Sequence, residues 1–249
     1  MRFALALLLT AVISGTANSA PIKKPVVKKK PAVAAAAPAQ PSVYYDFKGA
    51  RLGMTLAEVR ALPLPTEAPY VDTSGSKYST KYGPMALHCS DEATFGRGYE
   101  LYVSETEKAL GVVVCAYGRK ATHSFTGDSF DRGVINIGPR NTPDIDYKFM
   151  DRKLYNIDIT AKKDSLNDAL EGLTAKFGPP TKVLNDTTQN KAGATFPHTE
   201  QTWSNPAAII MVEAPWSRID EMHVSYMTAE GGARLVAKKN ELHPAASKM

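Results

Sequence analysis

The stretch Asp164-Ser165-Leu166-Asn167-Asp168-Ala169-Leu170-Glu171-Gly172-Leu173-Thr174-Ala175-Lys176-Phe177-Gly178-Pro179-Pro180 decides the fold class. Leu166, Leu170, Leu173 and Phe177 recur at helical spacing and line one face of an α-helix. Ser165 stands where an N-cap acceptor is wanted. Gly178 permits the left-handed exit of a helix, and Pro179 and Pro180 cannot continue one. Downstream, residues 200–203, 207–212 and 219–226 read as short strands. Ser204-Asn205-Pro206 and Ala214-Pro215-Trp216-Ser217 supply the turns between them. Residues 185–197 are polar and read as a mobile loop.

Upstream, Tyr147-Lys148-Phe149 and Tyr155-Asn156-Ile157-Asp158-Ile159 alternate on either side of Asp151-Arg152, the pattern of a hairpin. Residues 110–117 are almost wholly apolar and rich in β-formers, which predicts a buried central strand. Tyr99, Leu101 and Val103, and residues 133–137, are shorter strand candidates. Thr55-Leu56-Ala57-Glu58 is a capping-box pattern. It opens a helix with Leu56, Val59 and Leu62 on one face, stopped by Pro63 and Pro65. The order is helix, strands, helix, strands. Consecutive short strands pair antiparallel, so the class is α+β. Residues 43–160 and 161–229 look like degenerate copies of one helix-plus-meander unit, packed as a single domain. Residues 230–249 read as a frayed tail with one helical turn near Ala233.

Two motifs carry a resemblance. Phe47-Lys48-Gly49-Ala50-Arg51-Leu52-Gly53-Met54-Thr55-Leu56-Ala57-Glu58-Val59 resembles the F-x-G-x-x-L-G-M-S/T-x-x-E-V opening of exported bacterial proteins of unknown function. Phe149-Met150-Asp151-Arg152-Lys153-Leu154 is similar to their F-x-D-x-x-L hairpin. The layout resembles the helix-plus-meander units of small outer-membrane-assembly lipoproteins and of β-lactamase inhibitor protein. The lipid-anchoring cysteine of the lipoprotein relatives has no counterpart near Ala20. The resemblance implies a binding or scaffold role, not chemistry.

The formal net charge is +5 with a pI near 9.0. Residues 1–42 hold Arg2, Lys23, Lys24, Lys28, Lys29 and Lys30 and no acid, so removing these six leaves −1 for residues 43–249. Composition therefore gives no argument for a nucleic-acid-binding face on the domain. Met1-Arg2, an apolar run from Phe3 to Ile13 and the small residues that follow read as a secretory signal peptide over residues 1–19. The alternative is a retained N-terminal anchor. The run is shorter than the roughly 20 residues that span a bilayer. Residues 20–42 are a Pro-, Lys- and Ala-rich tether of extended character. Its five lysines suit an anionic envelope surface, and a solvated spacer is the plainer reading. The expected location is periplasmic or secreted.

Cys89 and Cys115 are the only cysteines. With an export signal, an even count reads as a disulfide. A metal site from His88, Cys89, Cys115 and His123 is the weaker reading, because neighbours on an extended segment point to opposite faces. Gly127-Asp128-Ser129-Phe130 and Asp220-Glu221-Met222-His223 match, in order, the blocks of GDSL-type esterases, with Ser129, Asp220 and His223 as the triad. Against it, residues 120–126 are polar and residues 222–226 alternate like a half-exposed strand. His198 and Glu200 read as a loop pair. Trp203 and Trp216 read as core packing, with an exposed ligand-stacking indole as the alternative. No cofactor motif occurs, and neither ligand nor metal is implied.

Deleting residues 20–42 is expected to lower retention on anionic envelope material while leaving the melting transition of the domain unchanged. Co-sedimentation with envelope extract and a thermal melt check both halves of that statement; unchanged retention would refute the electrostatic role.

Overall fold

The computed structural model describes residues 45–66, 80–92, 101–123, 127–137, 140–142 and 144–244. The expected signal peptide (1–19), the lysine tether (20–42) and residue 99 lie outside the described residues. So do the side chain of residue 123 and the last five residues.

The described residues open with a hairpin, β1 (Asp46–Phe47) and β2 (Ala50–Arg51), turned at Lys48 (φ +51°) and Gly49 (φ +90°). Both turn residues have positive φ, the geometry that matches the twist of paired strands. Gly53 N–H donates to Leu154 O, and Leu154 N–H donates to Met54 O, each at 2.7 Å. The motif thus ends clamped to the middle of the chain. Helix α1 (Leu56–Arg60) follows with its capping box formed: Thr55 accepts from Glu58 N–H, and Glu58 accepts from Thr55 N–H at 2.7 Å. Next come β3 (Thr80–Tyr82), β4 (Ala86–Cys89), α2 (Glu105–Ala109), β5 (Val113–His123) and β6 (Gly127–Arg132). Then come β7 (Ile135–Ile137), β8 (Arg140–Thr142), β9 (Asp144–Met150) and β10 (Lys153–Lys162). A 3-10 turn (Lys163–Ser165) enters α3 (Leu166–Phe177), which exits at Gly178 with φ +82°. Four strands and a helix close the chain: β11 (Lys182–Gln189), β12 (Thr195–Ser204), β13 (Ala208–Ala214), β14 (Glu221–Thr228) and α4 (Ala229–Leu242).

The architecture is a mixed α+β one, dominated by an antiparallel sheet in the order β11-β12-β13-β14-β10-β9-β5-β3. Strands β4 and β6 also pair with β5. The pleat sends alternate side chains to opposite faces. One face carries Tyr147, Ile157, Ile159, Val224, Ile210 and Trp203, all buried. The apolar stripe of α3 and Val59 of α1 pack onto it. The Trp203 indole N–H donates to Gly178 O at 2.8 Å, so this indole is core, anchored to the end of α3. The other face is polar over β10–β14 and is capped at one end by α2 and α4. There Leu110 and Leu235 pack with Val114, Met150 and Tyr155.

Several expectations need correction. Leu101 and Val103 form no strand; they lead into α2, which is opened by a second capping box, Ser104 with Glu107. Leu110 caps α2, so the central strand starts at Val113 and runs on through the polar residues 120–123. These are tolerated because β3 and β6 supply backbone partners on both edges. Residues 185–197 are not a loop but most of the β11–β12 hairpin, turned at Asn190–Gly193. Ser165 makes no side-chain cap; the 3-10 turn replaces it. Residues 230–242 are not a tail, because α4 begins at the Thr228 cap and docks on the β9–β10 hairpin. Gly231 is required there: a Cβ would lie 2.5 Å from the Tyr155 ring. Arg234 pairs with Asp151 in the hairpin turn. No described helix is long and apolar enough to cross a membrane.

Cys89 and Cys115 are bonded across β4 and β5, where they are register partners. The bond closes a separation of 26 residues, which on the chain-entropy account is worth about 3 kcal/mol through the unfolded state. Reduction is therefore expected to lower stability by about that amount, read as a lower urea midpoint with and without a phosphine reductant. An unchanged midpoint would mean the β4 edge holds without the bond.

Candidate functional site

The described residues place a chain of ionisable groups along the polar face, one from each of six adjacent strands. It starts on α2 because the local sequence Ser104-Glu105-Thr106-Glu107 makes a capping box that fixes Glu107. Glu107 Oε2 accepts from Ser104 N–H at 2.9 Å, leaving Oε1 free to accept from Lys148 Nζ on β9 at 2.8 Å. Lys148 is also 2.8 Å from Asp158 on β10. The β-bulge at Tyr155 aligns Lys148 with Asn156 in place of the regular partner and brings the ammonium between the two carboxylates. Asp158 is 3.3 Å from His223 Nε2 on β14. His223 is the register partner of Glu213 on β13. Glu213 lies 3.2 Å from His198 Nε2 on β12, and His198 Nδ1 lies 2.6 Å from Asp186 on β11. Read across the sheet, acid and base alternate.

The electrostatics follow from burial and neighbours. Burial opposes the charge on Lys148, yet Asp158 and Glu107 outweigh it and hold the ammonium above its ordinary range. Asp158 is also desolvated, and its bonds to His223 and Lys148 reverse that, holding its carboxyl well below the carboxylate range. Glu107 behaves alike, with Lys148 and the Ser104 cap overcoming burial. Asp146 beside them goes the other way: burial pushes its carboxyl up, although Arg132 stands 2.9 Å away. Hydrogen bonding to Asp186 raises His198. Asn156 is buried and donates to Ser225 Oγ at 2.8 Å, which locks the neighbouring positions of β10 and β14. Trp216 stacks on the His223 ring at 4.4 Å and 22°, and is itself 45 % exposed. The Nδ1 of His223 is buried with no hydrogen-bond partner among the described residues.

The triad residues are not brought together. Ser129 on β6 is the register partner of Ala121 and shares the face of Cys115 and Tyr117. His223 points to the opposite face. Asp220 is bound to Lys162 at 2.6 Å, and the carboxylate on His223 is Asp158. The metal quartet fails as well, since Cys89 and Cys115 are spent on each other. His88 points away from Cys89 across the pleat. No group of three or more metal-ligating side chains occurs among the described residues. His198 and Glu200 do share a strand face, on β12 rather than in a loop. Sequence reasoning missed Glu107, Lys148, Asp158, Glu213 and Asp186. For Lys148, Asp158 and Glu213 the signal was the polar half of an alternating strand, which reads as solvated surface until the register is known; Glu107 lies on α2 and Asp186 on the wholly exposed β11.

A concavity of about 310 Å³ lies between α3 and the β1–β2 hairpin, with Ile159, Leu173 and Tyr226 in its lining. Lys176 in its lining is already bound to Asp46 at 2.7 Å. Comparison with protein families, curated proteins and solved structures finds no match to this chain.

Replacing Lys148 with Met leaves Glu107 and Asp158 facing each other without a cation, and is expected to cost about 3 kcal/mol at neutral pH. The carboxyls held low in the wild type contribute stability above the ordinary carboxylate pKa of about 4 and lose it as pH falls. In the variant both are raised, so acid relieves it. The stability gap should narrow from neutral pH to about pH 3, measured by urea unfolding at each pH. A constant gap would show that the loss is one of packing alone.

Proposed function

We propose that this chain is an exported, non-enzymatic binding or scaffold protein of the bacterial envelope, periplasmic or secreted. Its partner docks on the polar sheet face over β12, β13 and β14. The observation that carries the reading is the alternating acid–base row from Glu107 to Asp186, held in place by the register of six strands. A fixed pattern of alternating acidic and basic groups selects a partner by complementarity and penalises mismatched ones. Trp216 and Ile209, 45 % and 40 % exposed, flank the row as apolar anchors, and buried aromatic anchors dominate interface energies.

The organisation fits the same reading. Residues 43–160 and 161–229 are proposed as two related units: each has a helix early in its span, α1 after the β1–β2 hairpin and α3 after a 3-10 turn, each ends in a pair of antiparallel strands, and their last strands β10 and β14 pair edge to edge. This is the layout that the resemblance to β-lactamase inhibitor protein and the assembly lipoproteins implies. Residues 1–19 act as the signal peptide, and Lys23, Lys24, Lys28, Lys29 and Lys30 tether the domain to anionic envelope material.

Capture from envelope extract tests the proposal. Trp216→Ala and Ile209→Arg should each weaken the partner at least about tenfold, the range of an interface anchor. Glu171→Arg, on the exposed side of α3, should not. Equal retention by all three would overturn the docking face, and labelling of Ser129 by a serine-reactive phosphonate would overturn the non-enzymatic reading.

A further inference from the structure

Strand β11 is exposed at all eight of its residues and forms the end of the sheet order. Its inner edge pairs with β12, and its outer edge has no strand beside it among the described residues. Edge strands in folded proteins are kept short, interrupted by proline or bulged, because their free backbone groups template another strand. β11 has none of these devices: it is long, regular in register and free of proline. It also presents Val183 and Leu184, 50 % and 38 % exposed.

We propose that β11 is a self-association edge, pairing antiparallel with β11 of a second copy about a two-fold axis at Leu184. The sequence is self-complementary in that register. The pleat puts Lys182, Leu184 and Asp186 on one face. With Leu184 on the axis, each Lys182 stands opposite Asp186 of the second copy, and the two Leu184 side chains meet between these ion pairs. On the other face Val183 meets Asn185. The interface is isologous and closes as a dimer. Both charged side chains can reach across: Lys182 and Asp186 remain 62 % and 51 % exposed beside their own partners, Glu200 and His198. The alternating row therefore continues over the seam, from His198 and Asp186 of one copy to Lys182 and Glu200 of the other. This inference does not depend on the docking face over β12–β14.

The test uses the purified chain in sedimentation velocity over a concentration series. The wild type should shift to twice its monomer mass. Lys182→Glu and Asp186→Lys should each remain monomeric, because each sets like charges opposite one another. An equimolar mixture of the two variants should recover the dimer, since an acid then faces a lysine at both ends: the introduced pair at one and the native Asp186 and Lys182 at the other. That recovery cannot come from a folding defect. Because the chain has no free cysteine, a single Leu184→Cys should cross-link on oxidation. Directly opposed residues lie about 4.5–5.5 Å apart, within disulfide reach. Val183→Cys should not cross-link. A wild type that stays monomeric throughout, a mixture that fails to recover, or equal cross-linking at 183 and 184 would overturn the proposal.

Discussion

Seven residue pairs between β10 and β14 join the sheet, and the rest of the molecule depends on that seam. Its partners are distant in sequence: Asn156 binds Tyr226 across 70 residues. Closing such a loop costs conformational entropy before any contact repays it. The repayment sits on both faces at once. Ile157, Ile159, Met222 and Val224 are buried beneath the helices. Asn156 and Ser225 bond on the other side. A one-residue slip would put Asp158 and His223 into the apolar layer and Ile157 into water, so the register is strongly specified.

The polar face then becomes a problem that the fold solves locally. A lysine mostly removed from solvent is costly unless paired and hydrogen-bonded. Two unrelated local devices supply the pairs. The bulge at Tyr155 shifts the β10 register by one residue, and the capping box at Ser104 orients Glu107. Helix α2 has only five residues, and isolated helices so short are not stable. Its ion pair to Lys148 and the packing of Leu110 hold it, so helix and charge network support each other.

Where burial has a single period, the sequence was legible. The stripe of α3, the Asp151-Arg152 hairpin, the 55–58 cap and the strands after residue 200 all follow from residues that alternate or recur between core and water. The bonded cysteines followed from their even count. Legibility failed where both faces of an element meet water or where burial is shared. β11 has no buried face, so its polar residues look like loop. α4 buries little besides Gly231 and Leu235, and its two glycines argue against a helix. The Ser104–Glu107 cap was as clear as the one at Thr55, but the alternation of Tyr99, Leu101 and Val103 drew the segment toward a strand. The charged row needs the bulge and five registers, none of which is local in sequence.

The two indoles lie in opposite environments, Trp203 at 1 % exposure and Trp216 at 45 % on the His223 ring. In optical terms the molecule carries its own probe. Buried Trp203 should emit as a dry, invariant reference from the sheet interior, and Trp216 as a wet one from the edge of the charged row. Anything that covers that face dehydrates one fluorophore and leaves the other unchanged, so a blue shift that vanishes in Trp216→Phe would report occupancy without a label.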